Sequence, residues 1–254
     1  MSSVILALDY PGRRDESRIR DLRLEAAGWQ VRYLMAAPFP QALTSSGYAA
    51  GLMPSADPIG TDVAAVLAYC SGAPIAQELV SAARPGEPVP LLLFDGEPSL
   101  LSGIRRDAAA AANQLGADEA ARKSGPAEGF TDQQLTADPK RCVDSLREWL
   151  VALGMSALRR EGADEVEARL VATDIACFYL DWLVFLIAAH NTQWPEFDGR
   201  LMHVVSRSHR FTEQWPGSRI AETCRVDSGR NELLDHRGAR ELALSFLEQV
   251  GTTT

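Results

Sequence analysis

The chain has 254 residues, 46% of them hydrophobic and 23% charged, which is enough to bury a full core as one α/β domain or as a domain with a large insertion. A net charge of −9 and an isoelectric point near 5.0 exclude the basic surface that phosphate binding needs, so nucleic acid is not an expected partner. The four cysteines, Cys70, Cys142, Cys177 and Cys224, have neither C-x-x-C spacing nor the density of a disulfide scaffold, so a reducing, cytoplasmic setting is expected. Met1-Ser2-Ser3 leads directly into the apolar run Val4–Leu8 with no basic region or cleavage site, so no secretory signal is expected. The longest apolar run, Ile175 to Ala189, is shorter than a bilayer span and contains Asp181, so no membrane segment is expected either.

In chain order, Val4–Leu8 reads as a first strand, and Asp9-Tyr10-Pro11-Gly12 as the turn after it, because proline cannot continue a central strand. Asp15–Ala27 carries Ile19, Leu22, Leu24 and Ala26 among charges and stops at Gly28, which predicts a surface helix. Val31–Met35 is a second strand. Ala36 to Gly60 holds four prolines and three glycines without periodicity and is predicted to be loop. Val63–Ala68 is a buried strand running into a sharp turn at Cys70-Ser71-Gly72-Ala73, and Ile75–Val80 begins a helix. After the break at Arg84-Pro85-Gly86-Glu87-Pro88, Val89–Phe94 is another continuous apolar strand, ending in Asp95-Gly96.

Strand signals then vanish from about Ser99 to Asn191. Arg105–Ala121 is alanine-rich, Asp138–Leu158 has Cys142, Val143, Leu146, Trp149, Leu150 and Leu153 at helical spacing, and Ala163–His190 is a long helix. Asp138-Pro139 and Gly162-Ala163-Asp164 are plausible helix starts, with proline and acids early. Leu201–Val205 resumes the sheet, Thr223–Val226 is a short last strand, and Gly238–Val250 is a closing helix with Ala239, Leu242, Ala243, Phe246 and Leu247 on one face. The division this predicts is a core made of residues 1–98 and 200–254 with a helical insertion over 99–199. Strands apolar on both faces and alternating with helices indicate a mostly parallel, doubly covered sheet, which places ligands at the carboxyl ends of its strands. Cys70 and Asp95 would share that edge.

The strand-to-helix corner Ala68-Tyr69-Cys70-Ser71-Gly72-Ala73 has the form of a nucleophile elbow, in which the turn exposes the nucleophile and the next backbone N–H faces the developing oxyanion. The first glycine of G-x-S-x-G is alanine here and the serine is cysteine. Read alone, Cys70 also fits a buried thiol in a βα turn, and Asp95 is equally a helix cap or Asx turn.

The order of elbow, Asp-terminated strand, helical insertion, late strand and closing helix resembles the thioesterase family of α/β-hydrolases, the type that releases or edits acyl chains on polyketide and nonribosomal-peptide carrier proteins. The resemblance covers nearly the whole chain. In that family the acid follows the strand after the elbow helix, which implies Asp95, 25 residues beyond Cys70. The insertion then corresponds to the family's lid, and Tyr10-Pro11-Gly12-Arg13 to the loop that completes the oxyanion hole, with Gly12 or Arg13 and the Ser71 N–H as donors. The family's base just precedes the closing helix, and that position falls on Arg230 in Ser228-Gly229-Arg230-Asn231. His236, six residues on, is the expected base and His209 the reserve. His203 lies inside a strand and His190 ends a helix. Tyr69, Phe178 and Trp182 are the expected pocket residues, although aromatics at helical spacing also pack a core. A Gly-x-Cys-x-Gly elbow also occurs in dienelactone hydrolases, but their acid and histidine lie much later in the chain.

An acyl group on Cys70 remains a thioester, close in free energy to the thioester that donated it, and a thiolate needs less help from a base than an alcohol does. The resemblance therefore implies acyl transfer from a carrier-protein or CoA thioester onto Cys70, and then to water, an internal nucleophile or another thiol. No resident cofactor or metal is expected, the substrate being carried on phosphopantetheine. The competing expectation, motivated by Arg230, is a non-catalytic acyl-binding or scaffold protein.

Overall fold

The computed structural model describes residues 4–11, 16–53, 63–82, 88–211 and 213–251. Among these, six strands form one sheet: β1 (Val4–Leu8), β2 (Gln30–Tyr33), β3 (Val63–Tyr69), β4 (Leu91–Phe94), β5 (Leu201–Val205) and β6 (Ala221–Arg225). Their order is β2-β1-β3-β4-β5-β6, and every pairing is parallel. The sheet belongs to the first of two compact units, formed by residues 1–40, 45–98 and 192–254; the second comprises residues 41–44 and 99–191.

The continuous apolar runs are explained by burial on both faces. Ile5, Ala7, Leu67, Leu92, Phe94, Met202 and Val204 share one face with Ala239, Ala243, Phe246 and Leu247 of the closing helix α8 (Arg237–Gly251). The alternate residues Leu6, Leu8, Val66, Ala68, Leu91 and Leu93 are as deeply buried on the other. Such two-sided burial is the signature of a parallel sheet. Besides α8, the first unit carries α1 (Ser45–Leu52) and the elbow helix α2 (Ala73–Ser81). Gln77 of α2 is fully buried. Its amide donates to the Pro195 and Pro216 carbonyls at 2.7 and 3.0 Å and accepts from Trp215 Nε1 at 2.7 Å, so one side chain ties two loops to α2.

The second unit is helical: α3 (Leu101–Gln114), α4 (Glu119–Lys123), α5 (Asp132–Ala137), α6 (Pro139–Arg160) and α7 (Glu165–His190). Asp138 caps α6 and Asp164 caps α7 through their carboxylates, satisfying N–H groups that a helix start leaves open. The two helices approach closely at Gly154, where an added Cβ would sit 3.0 Å from Ala172 Cβ. By length and composition α7 could cross a membrane, but its stretch Leu183–Ala189 is buried in the fold.

Two predicted elements differ. The helix predicted over Asp15–Ala27 is, where described, two 3-10 turns, Ile19–Leu22 and Leu24–Ala27, broken at Arg23 with φ 52°. Ile19, Leu22 and Leu24 are buried, and their spacing suits short turns laid on the sheet as well as one face of a helix. The stretch predicted as loop over Ala36–Gly60 contains α1, whose Tyr48, Ala49 and Leu52 are buried; its glycines and serines hid it, and positions 54–60 lie outside the described residues.

Candidate active site

The register of the sheet assembles the site. Tyr69 pairs with Phe94 and Phe94 with Val204, so Cys70 and Asp95 leave neighbouring strands at the same edge. Both have positive φ, 54° and 42°, a conformation that non-glycine residues adopt at a cost of about 1–3 kcal/mol. Cys70 opens a 3-10 turn, Cys70–Gly72, that feeds α2. The corner is tight: a Cβ on Gly72 would lie 3.3 Å from the Leu8 carbonyl oxygen, and one on Gly96 3.2 Å from Ala73 Cβ. The Glu97 N–H donates to the Cys70 carbonyl at 3.4 Å, fastening the loop after β4 to the elbow.

Among the described residues, three side chains bond or approach the thiol. Arg230 Nη2 lies 2.6 Å from Cys70 Sγ, the thiol donates to Glu97 Oε1 at 3.3 Å, and the Ser71 hydroxyl is 3.6 Å away. Arg230 is also paired with Glu97, through Nη2 to Oε1 at 2.9 Å and Nη1 to Oε2 at 3.4 Å, and its Nε lies 3.7 Å from Glu16 Oε1. The Tyr69 hydroxyl donates to Glu16 Oε2 at 3.1 Å. One guanidinium therefore answers two carboxylates.

These contacts decide the protonation states. Burial pushes the Cys70 thiol up to about 11; the Arg230 charge and the Ser71 hydrogen bonds oppose this, and the Glu97 charge reinforces it. Burial thus outweighs the Arg230 charge, and the resting thiol is neutral. Glu97 itself is held below its ordinary value: burial raises it, but the hydrogen bonds and charge of Arg230 and the bond from Cys70 outweigh that.

Below the thiol, Asp95 is fully buried. Its Oδ1 accepts the Ser206 N–H at 2.7 Å and lies 3.4 Å from His209 Nδ1, an ion-pair distance without hydrogen-bond alignment. Burial lowers the His209 pKa, against Asp95 and Glu97, which raise it, and with Arg230 and Arg225, which lower it. His203, whose ring packs edge-on to that of His209 at 5.1 Å, is driven by burial to about 3 and stays neutral.

The structure places the candidate bases apart from one another. His236 ends the 3-10 turn Arg230–Asp235 and its Nδ1 accepts the Gly238 N–H at 3.1 Å; it hydrogen-bonds neither Cys70 nor Asp95. The histidine facing Asp95 is His209, from the loop after β5, and the side chain on the thiol is Arg230. Tyr69, expected to line a pocket, is buried with its hydroxyl in the Glu16 pair. Gly12 and Arg13 lie outside the described residues. In the second unit, Trp182 donates to Asp107 at 2.8 Å and stacks on Phe185, whereas Phe178 is 56% exposed. Glu97 and Glu16 were not anticipated, since no spacing rule links either to Cys70. Among the described residues no group of three or more His, Cys, Asp or Glu is arranged to hold a metal ion.

The sheet order, the elbow and the helical segment between β4 and β5 are those of the α/β-hydrolase fold. Solved structures agree. A four-domain nonribosomal peptide synthetase bound to AMP and glycine matches with TM-score 0.55 and 14% identity over 98% of this chain, which spans 19% of that larger protein. The Vlm2 thioesterase domain bound with a dodecadepsipeptide matches with TM-score 0.50 and 11% identity, over 98% of this chain and 97% of that domain. A protein described as an epoxide hydrolase from Pseudomonas aeruginosa matches with TM-score 0.52 and 13% identity, over 99% and 90%. No protein-family model and no curated protein sequence matches.

Proposed function

We propose that this protein is a thioesterase-like acyl-transfer enzyme of polyketide or nonribosomal-peptide biosynthesis that accepts an acyl or aminoacyl group on Cys70 from a carrier-protein or CoA thioester and passes it to a second thiol. The observation that carries the reading is Cys70 at the positive-φ apex of the elbow with the Arg230 guanidinium on its sulfur. The Cys70 sulfur attacks the thioester carbonyl, the carbon–sulfur bond to the donor breaks, and the thiol proton ends on the departing pantetheine sulfur. A thioester is exchanged for a thioester, so the group can be handed on. The Ser71 N–H would face the tetrahedral oxyanion.

A thiol at about 11 costs about 5 kcal/mol to ionise at pH 7.5. A turnover of about 10 per second corresponds to a barrier of about 16 kcal/mol, so ionisation takes only a third of it. Hydrolysis of acyl-Cys70 fits less well. Arg230 cannot accept a proton near neutral pH, and Glu97, held low by that arginine, is a weak base for water. The second reading, an acyl-binding scaffold, is favoured by the lack of a hydrogen bond between any described histidine and Cys70. Incubation with an acyl-CoA followed by intact mass separates the two. Transfer predicts an adduct on the wild type and none on Cys70→Ala; binding without an adduct on the wild type supports the scaffold.

A further inference from the structure

Among the described residues, Glu97 is the one carboxylate that bonds both the thiol and its cation. Its Oε1 accepts the Cys70 S–H and the Arg230 Nη2 together, while Oε2 takes Nη1. Its own backbone N–H is tied to the Cys70 carbonyl, which fixes the carboxylate's backbone to the elbow. A carboxylate so placed could either remove the thiol proton or hold it in place, and the surrounding charges choose between these. Glu97 is held below its ordinary 4.5 and the thiol sits near 11. The carboxylate is held low while the thiol is pushed up, so the proton stays on sulfur. As a resting base, Glu97 would therefore be ineffective.

We infer that Glu97 is a positioning residue that occupies the Arg230 guanidinium and thereby keeps Cys70 a protonated, weakly reactive thiol until the Glu97–Arg230 pair is opened. Opening it leaves the cation on the sulfur with, among the described residues, Glu16 at 3.7 Å to share it, and a thiolate beside a less shared arginine is the nucleophile that acyl transfer requires. Among the described residues, the charged and titratable groups around the thiol are few. Arg230 comes from the segment after β6, Glu97 from the loop after β4, and Ser71 from the elbow itself; Glu16 and Tyr69 lie behind Arg230, and His209 acts on Glu97 electrostatically. Of these, only Glu97 bonds sulfur and guanidinium at once. The inference concerns the same cysteine as the proposed transfer, but it is read without any acyl donor.

The test is the rate of Cys70 alkylation by iodoacetamide against pH, followed by peptide mass so that Cys142, Cys177 and Cys224 are counted apart. Glu97→Gln removes a negative charge 3.3 Å from the sulfur and frees the cation, so the midpoint falls by about 1–3 pH units and alkylation at pH 7.5 rises about tenfold or more. Glu97→Asp, which keeps the charge, moves the midpoint less. In an Arg230→Ala background the fall caused by Glu97→Gln shrinks. A packing role for Glu97 would instead raise the plateau rate by exposing the thiol and leave the midpoint in place. An unmoved or raised midpoint, or an equal fall with and without Arg230, overturns the inference. Loss of acyl loading with the midpoint shift intact would overturn the transfer reading alone.

Discussion

Replacing Cys70 with serine removes an ionisable group whose neutral form the fold prefers. Burial raises the thiol from its ordinary 9.0 to about 11. Because the folded value lies above the unfolded one, the stabilisation is fully present below pH 9 and is lost as pH rises towards 11, where the unfolded chain has already released the proton. The gap of about 2 pH units corresponds to about 3 kcal/mol, about half of it lost by pH 10. Urea unfolding followed by tryptophan fluorescence, on wild type and Cys70→Ser from pH 8 to pH 10 under reducing conditions, reads this directly. Tyr33 and Tyr69, whose pKa values burial also raises, titrate in both proteins and largely cancel in the difference. The wild type should lose about 1.4 kcal/mol more than the variant by pH 10. Parallel stability curves would refute the placement of a neutral, desolvated thiol at the elbow.

Gln77→Leu conserves volume but strands the buried Trp215 N–H and two part-buried carbonyls, so it should destabilise the protein by about 1–3 kcal/mol in the same unfolding assay. His236→Ala should change Cys70 alkylation less than about twofold at any pH, since its ring bonds the Gly238 N–H rather than the thiol.

The sheet was legible because burial on both faces writes strands as uninterrupted apolar runs: Leu201–Val205 and Val4–Leu8 fall on the predicted residues. Helix starts were legible at Asp138 and Asp164, where a carboxylate precedes a proline or acidic first turn. Helix α1 was not, because Ser45, Ser46, Gly47 and Gly51 carry no apolar period and its burial is a tertiary outcome. At the site, Cys70 and Asp95 could be placed together from strand ends alone. The base could not, since His209 sits on a loop and Arg230 and His236 at the two ends of a short 3-10 turn, whose paths follow packing rather than periodicity. Glu97 escaped notice because nothing in the sequence tells an acid three residues past a strand end that it will meet an arginine 133 residues away.

The most direct test of acyl transfer through Cys70 is intact mass of the protein after brief exposure to an acyl-CoA, then after addition of free pantetheine or of buffer alone. The account predicts one acyl adduct, mapped to Cys70 and absent from Cys70→Ala, that discharges much faster to pantetheine than to water. An adduct on another residue, no adduct at all, or equally fast discharge in buffer would contradict it.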